Sequence, residues 1–243
     1  LGTSAGAPML NLHKLFEKYT ILSPGDRVYI DTGVHTATNA VVLTAAFSGA
    51  STNPVIIMGS TNRAVGGSVF RGGNVRFDIR PGASNIVIRN VAITNVATGV
   101  SLDGVVNVKL DGVEVRSASS RAFHVLGSSR DIDLVGCVAH GGPVGVVLQQ
   151  ATNVVIRNGV FWENTTAGVQ ANGVTGCSLE NSILASTRIG ASLLSVSGTG
   201  FLSDYNGLHA GPDTFVGNST HNVRAWQRVS GGQDLHSIPG DPQ

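Results

Sequence analysis

Trp162 is followed directly by Glu163, and His140 stands in the segment VAHGG earlier in the chain. An indole face can cover the apolar side of a pyranose, and a carboxylate or imidazole beside it can meet the hydroxyls. A second set is more widely spaced: Asp103, His124, Gln149, Gln170 and Asn172. Carboxamides both donate and accept hydrogen bonds, as sugar hydroxyls do, so this set also suits carbohydrate. Asp103 with His124 can be read as an acid–base pair as well. Each reading has a plainer rival. An adjoining loop could cover the tryptophan, the amides could line an ordinary wet face, and the histidine could serve no chemistry.

What positions these residues is a repeat. Segments that begin at Asn85, Asn107, Asp131, Asn153 and Cys177 align. Their small-then-apolar pairs are Gly99-Val100, Ala122-Phe123, Gly145-Val146, Gly168-Val169 and Gly190-Ala191, at steps of 23, 23, 23 and 22. A first run alternates Ile86/Ile88, Val108/Leu110, Ile132/Leu134, Val154/Ile156 and Cys177/Leu179 inward. A second centres on Ile93, Val115, Ala139, Phe161 and Leu184, and a third on Val100/Leu102 through Ala191/Leu193. Alternation with period two signals a strand with one buried face. The dipeptides RN, DG, VG, RN and EN after the first runs supply residues that tolerate left-handed backbone. Three strands per turn, each turn about 4.8 Å above the last, make a parallel β-solenoid. One turn cannot bury its own apolar face, whereas stacked turns bury a continuous column. Only 5% of residues are aromatic, which fits a narrow interior of Val, Ile, Leu and Ala.

Stacking converts sequence positions into columns. On the first sheet Arg89 lies over Asp111, Lys109 over Asp133 and Arg157 over Glu180. Such cross-strand pairs are worth ~0.2–1 kcal/mol each. The second sheet turns out Thr94, Arg116, His140 and Trp162. The third turns out Ser101, His124, Val147, Gln170 and Ser192 in one column, and Asp103, Leu126, Gln149, Asn172 and Leu194 in another. Glycoside hydrolysis needs two carboxylates about 5–9.5 Å apart. No two outward acids fall on adjacent rungs of a column. Ca²⁺ takes roughly six to eight oxygens. Asp111, Asp131 and Asp133 are too few and too mixed with cations, so no metal and no cofactor are expected, with Ca²⁺ the one ion to consider.

The remaining bounds are brief. Net charge is +1, which gives no reason to expect nucleic acid. No apolar run reaches the ~18 residues of a membrane span. Nucleotide-binding loops, Cys/His metal spacings and a serine nucleophile elbow are missing. Cys137 and Cys177 lie on non-neighbouring repeats and read as two buried thiols, since a disulfide needs Cα atoms within roughly 7 Å. Asn164-Thr165-Thr166 and Asn218-Ser219-Thr220 match the N-glycosylation pattern.

An open solenoid end needs a cap. Leu12, Leu15, Phe16 and Tyr19 share one helical face after Pro8, so residues 1–25 are expected to form a helical cap. Residues 26–200 form the solenoid, and residues 201–243, which lose the period, form an irregular segment over the far end. The start LGTSAGAP and the end PGDPQ read as edges of a piece of a longer chain.

The order SPGDRVYIDTGVH, PVIIMGS, the Asn/Gly-Val turns, SDYNGLH and AWQ followed by GGQDLHSIPGDPQ resembles right-handed parallel β-helix modules, pectate-lyase-like, of bacterial secreted and surface proteins. The resemblance implies a right-handed coil. It implies too that Asp204, Asn206 and Asp234 cap turns at the C-terminal end. That family joins lyases, epimerases, glycosidases, phage tailspikes and non-catalytic surface modules. Its lyase- and epimerase-like sites use a compact Tyr/His/Asp group on a sheet face. Tyr19, Tyr29 and Tyr205 all lie outside the regular turns. The expectation is therefore a non-catalytic bacterial extracellular or cell-surface module, structural or carbohydrate-binding. Its partners would be a polysaccharide or surface glycan, or further copies stacked end to end or in tandem. The alternative is a polysaccharide lyase, epimerase or glycoside hydrolase.

Overall fold

Apolar residues at alternate positions turn inward in strand after strand. Ile86, Ile88, Leu110, Leu134, Val154 and Ile156 are all inaccessible to solvent. The computed structural model describes residues 12–36, 39–62, 64, 66–73, 75–217, 222–229 and 233–239. Three parallel sheets carry eight, nine and eight strands in stacking order, a β-solenoid of eight rungs. The rung that bears Trp162 consists of Thr152–Arg157, Val160–Trp162 and Ala167–Asn172. The next is Cys177–Glu180, Ile183–Ser186 and Ser192–Ser197. Full burial of each Val, Leu, Ile or Phe contributes about 1.5–3 kcal/mol, and the column is continuous from rung to rung.

Turn chemistry sets the corners. Asn90, Gly112, Gly136, Asn158 and Asn181 all have φ between 50° and 62°, and these are the residues that follow the first sheet. Asn85, Asn107, Asp131 and Asn153 open the first-sheet strands, also at positive φ. Their side chains bond along the axis: Asn107 Nδ2 donates to Asn85 Oδ1 at 2.6 Å and Asn153 Nδ2 to Asp131 Oδ1 at 3.2 Å. Such a ladder satisfies polar groups that stacking would otherwise leave unpaired.

At the N-terminal end, helix α1 (Leu12–Lys18) buries Leu12 and packs Phe16 edge-on against Phe47, centroids 5.0 Å apart. Pro8 lies outside the described residues. At the far end the sequence expectation of irregular structure needs correcting. Phe201–Asp204, Gly207–Ala210 and Phe215–Gly217 continue all three sheets as a regular eighth rung. The period was hidden because Ser203 fills an inward position and Tyr205 takes the left-handed corner at φ 57°.

Helix α2 (Val223–Val229) and the strand Ile238–Pro239 then close the end. Their hub is Asp234, which is fully buried. Its carboxylate accepts bonds from Ser203 Oγ, Ser237 Oγ, Asn206 Nδ2 and Trp226 Nε1, at 2.7–3.2 Å. Asn206 Oδ1 in turn accepts from the backbone of Ser182 at 2.9 Å. His236 stacks on Tyr205 and bonds Asp204 at 2.7 Å. The SDYNGLH and QDLHSI segments thus fasten the end. The expectation that Tyr29 and Tyr205 lie outside the regular turns is corrected: Tyr29 ends a first-rung strand, Tyr205 forms an eighth-rung corner, and Asp204, Tyr205 and His236 come together there.

A second correction concerns register. Val169 pairs with Leu194 and Gln170 with Ser195, a step of 25 residues where 22 was expected. Ser195 and Ser197, not Ser192 and Leu194, therefore top the two outward third-sheet columns. The second-sheet step from Trp162 to Ala185 is 23. Two residues are thus inserted in the loop between the sheets, which carries Thr187, Arg188 and the exposed Ile189.

The first-sheet charges lie in the expected columns, but the contacts differ. Asp111 meets Lys109 of its own strand, and Asp133 meets Arg157 diagonally, each at 3.6 Å. Long side chains reach sideways as easily as along the axis. Cys137 and Cys177 are free and buried. Burial pushes the Cys137 thiol up to about 12 and raises that of Cys177.

Candidate functional site

The second-sheet strands place Glu114, Arg116, His140 and Trp162 on one outward surface, because Val115, Ala139 and Phe161 between them turn inward. Arg116 lies in register with His140, and His140 with Trp162. Trp162 is 43% exposed, so no loop covers it. Its ring stacks on His140 at 4.8 Å between centroids and 20° between planes. Arg116 grips Glu114 with two bonds, Nε to Oε1 at 2.6 Å and Nη2 to Oε2 at 2.8 Å. The same carboxylate lies 3.8 Å from His140 Nε2. The bond to Glu114 raises the Arg116 pKa. Burial lowers that of His140 and the charge of Arg116 lowers it further, against the pull of Glu114. The imidazole is therefore mainly neutral at pH 7 and can present an aromatic face.

Glu163 does not join this face. At φ 52° its chain turns away, and Oε1 accepts bonds from Thr187 N at 3.0 Å and Thr187 Oγ1 at 3.1 Å. Oε2 pairs with Arg188 Nε at 2.9 Å. The carboxylate ties down the lengthened loop one rung above. Asn164 is buried, and its amide nitrogen donates to Ala139 O at 3.3 Å, which denies it to glycosylation. Asn218 lies outside the described residues.

The third-sheet candidates form a separate group. His124 lies 3.2–3.3 Å from Arg121 Nη1 through either ring nitrogen. Burial and then Arg121 lower its pKa, against a hydrogen bond with Gln149 and the charge of Asp103. The Asp103 carboxyl occupies the space where a Cβ on Gly127 would stand, and Gly127 also sits at φ 65°, so a side chain there would be strained and would turn the carboxyl away. Gln149 and Asn172 are in register, and Asn172 Oδ1 accepts from Ser197 Oγ at 3.0 Å. Val147 and Leu126 interrupt both columns. Seven of the eight candidate residues thus divide between two faces, and the eighth, Glu163, serves the loop between them. Among the described residues, no three His, Cys, Asp or Glu side chains converge as a metal site would require. Column counting from Trp162 also reaches Ala185 and, one rung further, His209.

A family model described as "Right handed beta helix region" matches residues 79–231, well over half of the chain. The chain belongs to this right-handed β-helix family. Comparison with curated proteins finds no significant sequence match. Among solved structures, an alginate lyase from Paenibacillus sp. str. FPU-7 is similar at TM-score 0.66 and 16% identity, over 82% of this chain and 78% of that one. The pectate lyase Pel9A is similar at 0.56 and 14%, over 90% and 70%. PfbA, a surface adhesin of Streptococcus pneumoniae, is similar at 0.53 and 11%, over 80% and 69%. At these identities the likeness establishes the pectate-lyase-like β-helix fold. The fold serves polysaccharide-acting enzymes and an adhesin alike, and function has to be argued from the site. No helix among the described residues is long and apolar enough to cross a membrane.

Proposed function

We propose that this β-helix is a non-catalytic bacterial module, extracellular or on the cell surface, that binds polysaccharide through its second-sheet face. The observation that carries the reading is Trp162, exposed on a rigid strand and backed by a stacked imidazole. An aromatic face held this way loses little conformational freedom when a sugar lands on it. The acids nearby are already engaged, Glu114 by Arg116 and Glu163 by Arg188, which leaves them ill suited to general acid or base work.

The test is retention of the purified chain on insoluble or immobilised alginate, polygalacturonate, xylan and mannan. Trp162→Ala should weaken retention at least about tenfold, the scale of an aromatic hot spot, while Gln170→Ala changes it less than about twofold. Retention unaffected by Trp162→Ala would sink the proposal. A second reading, cleavage at the third-sheet face, has one observation in its favour. His124 is a largely neutral imidazole set between Asp103, Gln149 and Arg121, as a general base would be. Mass spectrometry of the same polymers after incubation, with Ca²⁺ and with chelator, separates the two. Products that vanish in His124→Gln would favour catalysis.

A further inference from the structure

The stacked column on the second sheet has a gap one ring deep. Arg116, His140, Trp162, Ala185 and His209 lie in register on successive rungs. His140 and Trp162 show how rings pack here, one per rung and nearly parallel. At the next rung the ring is replaced by the methyl of Ala185. Above that, Leu208 turns inward, so His209 points out. We propose that Trp162, Ala185 and His209 form a clamp that holds a single pyranose of the bound polysaccharide between indole and imidazole. The inference rests on the carbohydrate-binding reading of this face and names the subsite within it.

The height of the gap selects the guest. Trp162 and His209 are two rungs apart, about 9.6 Å at the ~4.8 Å strand spacing. A flat ring at mid-height would lie about 4.8 Å from each wall, beyond the ~3.5–4.0 Å at which carbon atoms attract best. A chair is thicker, because its axial C–H bonds project toward both walls. A saturated sugar ring therefore fills the height of the gap more fully than a flat ring does.

The flanks agree. On one side the neighbouring outward column offers Ile183, which is 39% exposed, with Val160 below it. On the other side stands the inserted loop, with Thr187 and the Arg188–Glu163 pair. Arg188 uses Nε for Glu163, so its terminal nitrogens can meet a sugar hydroxyl or carboxylate. The two-residue insertion brings polar groups to the edge of the gap, where a sugar carries its equatorial substituents.

Ala185→Phe tests the clamp because it fills the gap at an outward strand position where aromatic residues are well tolerated. The probe is whichever of the four polysaccharides the unaltered chain retains most strongly, with affinity read by calorimetry on its oligosaccharides. Ala185→Phe should lower affinity at least about tenfold, as Trp162→Ala does, and His209→Ala about threefold or more, while Ala185→Gly stays within about twofold. An unchanged melting temperature in each variant confirms that the fold is intact. Affinity within twofold of the parent in Ala185→Phe overturns the clamp while leaving glycan binding by this chain in place. Failure of the unaltered chain to bind any of the polymers overturns both.

Discussion

On the rung that carries Trp162, the second sheet turns out an indole and the third sheet turns out Gln170 and Asn172. One rung below, the indole rests on His140, whereas Gln170 stands over Val147 and Asn172 over Gln149. The same backbone stacking underlies both faces. On the second sheet the side chains continue that stacking: the Arg116–Glu114 pair orients His140, and His140 supports Trp162. On the third sheet an apolar residue breaks each column, and the polar groups bond to near neighbours such as Arg121 and Ser197. A column becomes a platform when adjacent rungs carry groups that pack on each other. Polar composition alone does not make one.

The sharpest break of that comparison separates the platform from the core beneath it. Phe161 and Trp162 are adjacent, 1% and 43% exposed. Phe161→Ala should cost about 3–5 kcal/mol of stability, because it empties a packed column. Trp162→Ala should cost less than about 1 kcal/mol, as expected of an exposed site whose main loss is one ring contact. Urea unfolding of both variants measures this. Comparable losses would mean that Trp162 is structural and that the platform is part of the fold's support.

A finer test addresses the loop beside the platform. Glu163→Ala removes two bonds to Thr187 and the ion pair with Arg188. The expected cost is about 1–2 kcal/mol of stability, with a fall of a few-fold in polysaccharide affinity as the rim loses its anchor. The matching change on the other face, Asn172→Ala, removes only the bond to Ser197 and should leave affinity unaltered. Proteolysis within 187–191 would report loosening of the loop directly.

The fold was legible because its rules are local and repeated. Ile86/Ile88 and their successors alternate without exception through four rungs, and Asn90, Asn158 and Asn181 mark corners that need left-handed backbone. The outward direction of Trp162 followed from the same alternation. Three features were hidden for physical reasons. Gly190-Ala191 imitates the small-then-apolar pair and so gives the two-residue insertion the spacing of an ordinary rung, although Leu193-Leu194 is the true partner of Gly168-Val169. Ser203 occupies a core position that only makes sense once the distant Asp234 arrives to bond it. The choice of partner among charged side chains, as between Lys109, Asp111 and Asp133, depends on rotamers that spacing does not determine.

The smallest effect concerns pH, and it sets one histidine on each face against the other. His124 on the third sheet and His140 on the second are both held below the ordinary value of 6.5, in each case chiefly by burial. Around His124 stand Arg121, which opposes protonation, and Asp103 and Gln149, which favour it. Around His140 stand Arg116, which opposes it, and Glu114, which favours it. Because the folded pKa values are depressed, the unfolded chain binds more protons just below pH 6.5. Stability should be full above that value and fall as the pH drops through it. Replacing each histidine with Gln should remove its share of the fall, measured as the difference in urea midpoint between pH 7.5 and pH 5. If His124→Gln flattens the profile more than His140→Gln, burial and the charge of Arg121 together hold the third-sheet imidazole lower than its second-sheet counterpart. The reverse order would show that the Glu114–Arg116 pair excludes water from the second face more effectively than its exposure suggests, and would strengthen the case for a dry binding platform there.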